Sequence, residues 1–315
     1  MRIAVATSLY ELAPDVKRQL LESFPDCKFR GEDDDLVGDE IIEYCQGYEA
    51  AIIGHEVFDD HILSNLPGLK VIAMTSTGVN HIDPAVLKKH GIRLGWFPGV
   101  NRVAVAEMTI SQIIDVLRNL QANSTLTHAG QWPQRRSGIL LQGKTIGIHG
   151  CGNIGKEVAK RLIPFEVTIL ACDRVDYSHF YADHGIESVE PEELWARSDL
   201  LTIHLSLNAT TRGLYTAEIL DKLKPGAYLV NMARGGIVDE QALYDRLTSG
   251  RIAGAAFDVF AVEPAIGHPL FQLHNFIGTP HCASNAIEVL AQMAISGVRG
   301  LNDNWIPEPG QYPFD

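Results

Sequence analysis

Basic charge is scarce in this sequence: 26 Lys and Arg stand against 39 Asp and Glu in 315 residues, a net charge of −13. A chain this acidic repels nucleic-acid phosphates and anionic lipid unless one face is locally basic, and no basic run is present. Long apolar runs are missing too; none nears the ~18–20 residues of a membrane span. The opening MRIAVATSLY turns polar quickly and lacks the apolar core and small-residue cleavage site of a secretory signal. Cysteine is sparse, with five scattered residues (Cys27, Cys45, Cys151, Cys172, Cys282) and no CxxC pair. Free thiols in a reducing, cytoplasmic setting are expected. No short-period repeat or low-complexity segment occurs. What is present, 46% hydrophobic and 21% charged residues, is the composition of a soluble globular protein. At roughly 150 residues per domain, the length suggests two domains.

Two passes of alternating strand and helix signals run along the chain, which predicts βαβ units and parallel sheets. The first pass has β-rich runs near Ile3, at Ala50 to Gly54, Lys70 to Met74 and Ile92 to Trp96, with helical patterns at Pro14 to Ser23 and Asp39 to Cys45. A long amphipathic stretch, Val103 to Leu120, follows, with Asn101 as a candidate N-cap. Gln121 to Gln142, with Gly130, Pro133, Arg135 and Arg136, reads as an irregular surface connection. The second pass begins at Lys144 to Gly150 and continues through Val167 to Asp173, Asp199 to Leu205, Ala227 to Met232, Ile252 to Phe260 and Phe276 to His281. A last helix is expected from about Asn285 to Leu301. The acidic run Glu32 to Asp35 is read as a solvated loop rather than a metal site.

Gly150-Cys151-Gly152-Asn153-Ile154-Gly155 fits G-x-G-x-x-G. The pattern alone is weak evidence; its setting is not. It follows an apolar strand, opens a helix, and is followed by a second strand ending in Asp173, 18 residues beyond Gly155. The first glycine permits the tight turn, the second lets a pyrophosphate approach the backbone, and the third lets helix pack on strand. The helix N-terminus then offers unpaired N–H groups to the anion. Asp173 would accept hydrogen bonds from ribose hydroxyls and repel a 2′-phosphate, so NAD is the expected cofactor. Arg174 beside it pulls the other way, since a guanidinium can hold a phosphate.

Three further patches fall at the ends of later strands, where open parallel sheets bind ligands. NMARGG supplies Arg234, whose fork suits a carboxylate and its neighbouring carbonyl. DVFAVEP supplies Asp258 and Glu263, and TPHCAS supplies His281. Each has a mundane reading alone; an Arg, an acid and a His after one dinucleotide turn point together to a catalytic site.

With these motifs in order, the sequence resembles the NAD-dependent D-2-hydroxyacid dehydrogenase family, which includes glyoxylate, hydroxypyruvate and phosphoglycerate dehydrogenases. The resemblance runs almost end to end, through LKVIAMTSTGVNHID, VNRVAVAE, GKTIGIHGCGNIGKEVAKRL, LLTIHLSLNATTRGL, LKPGAYLVNMARGGIVDEQAL, GAAFDVFAVEP and TPHCA. It implies an α/β fold of two doubly wound parallel-sheet domains. A flavodoxin-like substrate domain would comprise residues 1–101 and 286–315, and a Rossmann-like NAD domain residues 102–285. It implies hydride transfer between NAD(H) and a small D-2-hydroxy or 2-keto acid. Arg234 would orient the substrate, His281 would be the general acid–base and Glu263 its partner. Ser76, Thr77 and Gly78 would bind the substrate carboxylate through backbone N–H groups. The cofactor would meet Gly150, Gly152, Asn153, Ile154, Gly155, Asp173, Arg174, His204, Leu205, Ser206, Thr211, Met232, Ala233 and Thr109, with Asp258 on the nicotinamide carboxamide. A homodimer is implied, with Trp132 on the contacting arm.

The chain departs from the family at Ser206, where proline is common, and at Met232, where a small or polar residue is usual. Thr77 stands where the phosphite-oxidising member has lysine, and Glu263 where formate dehydrogenases have glutamine. His55-Glu56 replaces an arginine common in phosphoglycerate dehydrogenases, whose role Arg102 or Arg135 would have to fill. Two other chemistries are set aside. Cys282 is adjacent to His281, and neighbours in a tight turn rarely reach one atom. His268, His274 and His281 match no common zinc spacing. A rival of another class is an NAD(H)-responsive regulatory protein, because a transcriptional co-repressor uses the same fold and keeps the catalytic trio.

Overall fold

The computed structural model describes residues 1–31, 36–132 and 138–314. The acidic run Glu32 to Asp35, with Pro133, Arg135 and Arg136, lies outside the described residues. The chain divides into two compact units, Met1–Asn101 with Asn285–Asp315, and Arg102–Ser284.

The first unit is built on five parallel strands: β1 (Ile3–Val5), β2 (Cys27–Phe29), β3 (Ala50–Ile53), β4 (Val71–Met74) and β5 (Arg93–Gly95), in the order β2-β1-β3-β4-β5. That is the flavodoxin-like order of a doubly wound sheet. β3 and β4 are buried along their whole length, which is why AAII and VIAM read as unbroken apolar runs rather than alternating ones. One core layer gathers Ile41, Ile53, Leu63, Ile72 and Leu87; the other gathers Ile3, Tyr10, Leu20 and Ile52. Each fully buried aliphatic chain contributes roughly 1.5–3 kcal/mol. The last helix, Ile287–Gly300, belongs to this second layer through Ala294. A Cβ on Gly95 would stand 2.3 Å from the Cα of Gly300, so helix and β5 meet backbone to backbone. Beyond the helix, Trp305 and Leu94 exchange backbone hydrogen bonds of 2.7 and 3.1 Å. The chain's end is thereby fastened to the unit its beginning formed.

The second unit carries seven parallel strands: β6 (Thr145–His149), β7 (Thr168–Cys172), β8 (Glu187–Ser188), β9 (Leu200–Ile203), β10 (Ala227–Asn231), β11 (Ile252–Phe257) and β12 (Phe276–Gly278). Their order is β12-β11-β10-β9-β6-β7-β8. The order reverses between β6 and β9, which places the switch point, the usual ligand crevice of such sheets, at the end of β6. Both faces are covered. The helix Arg102–Arg118 packs on the helix Asn153–Leu162 and on β10 and β11. The opposite face is sealed by Trp195, Leu220, Leu243 and Leu247.

The segment after Leu120 is not irregular throughout. Asn119 turns the chain through a left-handed conformation (φ 53°), and a second helix, Leu120–His128, follows. None of its residues is buried, so it carries no apolar stripe by which periodicity could have signalled it. Asp115 accepts the N–H of Gln121 at 2.8 Å and fixes where it starts. Among the described residues, no helix is long and apolar enough to cross a membrane.

Candidate active site

The glycine turn after β6 requires glycine at two of its positions and is open at the third. Gly150 has φ +94°, and a Cβ there would lie 2.7 Å from the backbone of His204. A Cβ on Gly155 would strike the carbonyl of Gly150 at 2.2 Å, so the helix sits directly on the turn. At Gly152 a Cβ would meet nothing within 4 Å. That open side, at the start of a helix with no side-chain cap, leaves space and unpaired N–H groups for an anion. Asp173, at the end of β7, accepts the N–H of Cys151 at 2.6 Å and that of Val175 at 2.9 Å. It ties the loop after β7 to the glycine turn. Arg174 beside it is exposed.

On the other side of the switch point, His204 donates its N–H to the carbonyl of His149 at 2.8 Å, and its Nε2 meets Thr202 Oγ1 at 2.9 Å. Its Nδ1 is buried without a partner among the described residues. Burial pushes this imidazole down to about 3, so it is neutral. Thr211 donates its hydroxyl to the carbonyl of Ser206 at 2.6 Å and accepts the N–H of Asn208 at 2.9 Å, closing the loop after Leu205. The open glycine side and the orphaned imidazole nitrogen fit a dinucleotide. Two residues placed with the cofactor by resemblance are occupied by the fold. Thr109 is fully buried and donates to Val105 O at 2.7 Å, and Met232 lies in the apolar core.

Three strand ends of this same unit bring Arg234, Glu263 and His281 together. After β10, the buried Asn231 accepts the N–H of Ala233 at 3.0 Å and donates to the carbonyl of Arg234 at 3.0 Å, shaping the loop that carries Arg234. The guanidinium itself donates to Ala233 O at 2.7 Å. Burial disfavours its charge, and Glu263 opposes that with a compensating negative one. A Cβ on the next residue, Gly235, would stand 1.9 Å from the carbonyl of Phe260. Only glycine lets the Arg234 loop lie against the loop after β11.

That second loop carries Glu263. Its Oε1 accepts the N–H of Phe260 at 2.8 Å and its Oε2 meets Nδ1 of His281 at 2.8 Å. Desolvation raises the carboxyl, but the hydrogen bonds from His281 and Phe260 and the charges of His281 and Arg234 outweigh it, leaving Glu263 below the ordinary carboxylate range. With the carboxylate on Nδ1, the exchangeable proton of the ring belongs to Nε2.

His281 follows β12 in a left-handed conformation, φ +50°, rare for a residue with a side chain and costing of order 1–3 kcal/mol. Asp258 holds it there. The main-chain carbonyl of Asp258 accepts the N–H of His281 at 2.8 Å. Its buried carboxylate accepts the Thr279 hydroxyl at 2.6 Å, the N–H of Cys282 at 2.9 Å and that of Ala283 at 2.8 Å. Asp258, placed with the nicotinamide by resemblance, is in this structure the anchor of the histidine turn. Cys282 has its thiol raised by burial and by Asp258, the reverse of an activated nucleophile.

In the first unit, Ser76, Thr77 and Gly78 form the turn after β4. The turn is braced by Trp96, which donates Nε1–H to Thr77 O at 3.1 Å, and by Thr75, whose hydroxyl reaches Ile53 O at 3.0 Å. At the neighbouring end of β3, His55 is exposed, and Glu56 turns inward to accept the N–H of Gly54 at 2.7 Å. Sequence reading passed over Glu240 and read His268 only against a metal. Glu240 looks like any acid opening a helix, and its contacts are 21 and 28 residues away.

The family model for the NAD binding domain of D-isomer specific 2-hydroxyacid dehydrogenases matches residues 110–283. A glyoxylate reductase from Thermofilum pendens is 40% identical over 252 residues, covering 77% of this chain and 74% of that one. A D-3-phosphoglycerate dehydrogenase from Methanocaldococcus jannaschii is 35% identical over 80% of this chain, which spans only 49% of that longer protein. The crystal structure of a glyoxylate reductase from Paecilomyes thermophila superposes with a TM-score of 0.86 at 28% identity, covering 96% of this chain and 94% of the other. The chain belongs to the D-isomer specific 2-hydroxyacid dehydrogenase family.

Proposed function

We propose that the protein catalyses reversible, NAD-dependent reduction of a short 2-keto acid to the D-2-hydroxy acid, with His281, Glu263 and Arg234 as its catalytic group. The observation that carries this reading is the 2.8 Å Glu263–His281 contact, made by a histidine in a strained conformation with the cationic Arg234 charge-coupled to the same carboxylate. NADH, when bound at the glycine turn, supplies the hydride that reaches the carbonyl carbon. His281, as imidazolium, delivers a proton from Nε2 to the carbonyl oxygen and recovers it from the hydroxyl in the reverse direction. Glu263 stabilises the charged ring and fixes which nitrogen is used. Arg234 holds the carboxylate and carbonyl of the substrate and meets the charge that develops on oxygen. The braced turn at Ser76, Thr77 and Gly78 is the candidate for the substrate carboxylate. Asp173 favours NAD over its 2′-phosphorylated relative.

The exposed helix Leu120–His128 and Trp132, 81% exposed four residues beyond it, suit contact with a second copy of the chain, and a homodimer is part of the reading. Five free cysteines suit a reducing, cytoplasmic setting. The test is NADH oxidation with glyoxylate, hydroxypyruvate, pyruvate and phosphohydroxypyruvate. Turnover of about 1–10³ per second on at least one is expected. Tight NADH binding with no turnover on any would favour a regulatory protein instead.

A further inference from the structure

We infer that Glu240 and His268 are a positioning pair, which fixes the peptide of Phe260 and Ala261 and thereby sets Glu263 against His281. The inference rests on the reading of Glu263 and His281 proposed above.

Glu240 opens the helix Glu240–Thr248, whose N-cap is supplied by Asp239 through the N–H of Ala242. An acid in a first helical turn suits the helix dipole, but this one reaches off its helix. Its Oε1 accepts the N–H of Ala261 at 2.7 Å, and its Oε2 faces Nε2 of His268 at 3.1 Å. Nδ1 of His268 accepts the N–H of Leu270, so the ring proton sits on Nε2 and donates to Glu240. The imidazole is flanked by Phe260 and Phe271, with ring centroids 5.5 and 5.7 Å away. Both side chains are largely enclosed, 15% and 22% exposed. Every polar atom of the pair is thus committed within the fold, which leaves it poorly placed to handle substrate.

What the pair holds, through the N–H of Ala261, is the stretch at Phe260 where the loops carrying Arg234 and Glu263 meet. Phe260 gives its N–H to Glu263, the other oxygen of which meets His281. The carbonyl of Phe260 is the group that only a glycine at position 235 can accommodate, next to Arg234. Release of Ala261 from Glu240 frees this peptide, and displacement of reacting groups by about 1 Å can cost about a hundredfold in rate. The signature is a fall in kcat with binding intact.

The test uses the full chain with NADH and whichever keto acid of the panel is turned over fastest. Glu240→Ala should lower kcat by about ten- to a hundredfold, with KM for the keto acid and Kd for NADH within about twofold of the parent. Glu240→Gln retains an acceptor for the Ala261 N–H and should recover most of the lost kcat. His268→Ala should fall between the two, and decides the matter if Glu240→Ala does not fold. Parental kcat in Glu240→Ala, a loss in Glu240→Gln as deep as in Glu240→Ala, or parental kcat in His268→Ala would overturn the positioning role. His281→Ala, run alongside, separates the two claims. If it turns over like the parent, the reading of the catalytic group falls; if it is inactive while Glu240→Ala is unimpaired, only the positioning pair falls.

Discussion

Two carboxylate–imidazole pairs sit in the second unit, Glu263–His281 at 2.8 Å and Glu240–His268 at 3.1 Å. By composition they are the same. In the first, the His281 and Glu263 side chains are 39% and 35% exposed, the histidine backbone is strained at φ +50°, and Arg234 is electrostatically coupled to the carboxylate. In the second, the histidine has an ordinary φ of −58° and packs against Phe260 and Phe271. An acid beside a histidine is therefore not a catalyst by itself. Access, a held conformation and a nearby cation separate the pair proposed to work on substrate from the pair proposed to support it.

The contrast can be broken most severely at the cation. Arg234→Lys keeps the charge but loses the planar fork, and kcat/KM for the keto acid should fall by about 10²–10³, with NADH affinity unchanged in a fluorescence titration. A loss below fivefold would remove Arg234 from the pair's distinguishing features. Glu263→Gln should cost about tenfold or more in kcat for reduction, with Kd for NADH within about twofold of the parent. Glu263 is held below the ordinary carboxylate range, so it is ionised at neutral pH, and its Oε2 faces Nδ1 of His281. The amide removes that charge while keeping the shape. Parental kcat in Glu263→Gln would mean the contact is not coupled to the chemistry.

A third histidine sharpens the comparison and carries the smallest effect. His149, 7% exposed, meets the hydroxyl of Tyr215 at 2.5 Å, and burial pushes it down from 6.5 to about 4. Native His149 stays neutral where the unfolded chain takes up a proton. Stability should therefore fall as pH drops from about 6.5 towards 4, by roughly 1.4 kcal/mol per pH unit from this group. Urea unfolding at a series of pH values should show a flatter acid limb in His149→Gln than in the parent. Parallel curves would rule out the buried neutral imidazole.

Legibility followed distance along the chain. The glycine turn could be read because strand, turn, helix and acid are consecutive, and the structure shows a steric reason for Gly150 and for Gly155 and an open side at Gly152. β2 and β8, three and two residues long with little burial, left no run to recognise. The helix Leu120–His128 was missed because it buries nothing. The family's motifs indicated Asp258 and Glu263, but not that the carboxylate of Asp258 is taken up by Thr279, Cys282 and Ala283. Glu240 was invisible for the same reason: its partners are brought near only when the helix after β10 and the loop after β11 pack together.

The central claim is that His281 moves the proton. Stopped-flow mixing of His281→Ala with NADH and then with the best keto acid tests it most directly. NADH should bind as in the parent, and its oxidation should slow by about 10²–10⁴-fold. Oxidation at the parental rate would contradict the assignment and return the 2.8 Å contact with Glu263 to a purely structural role.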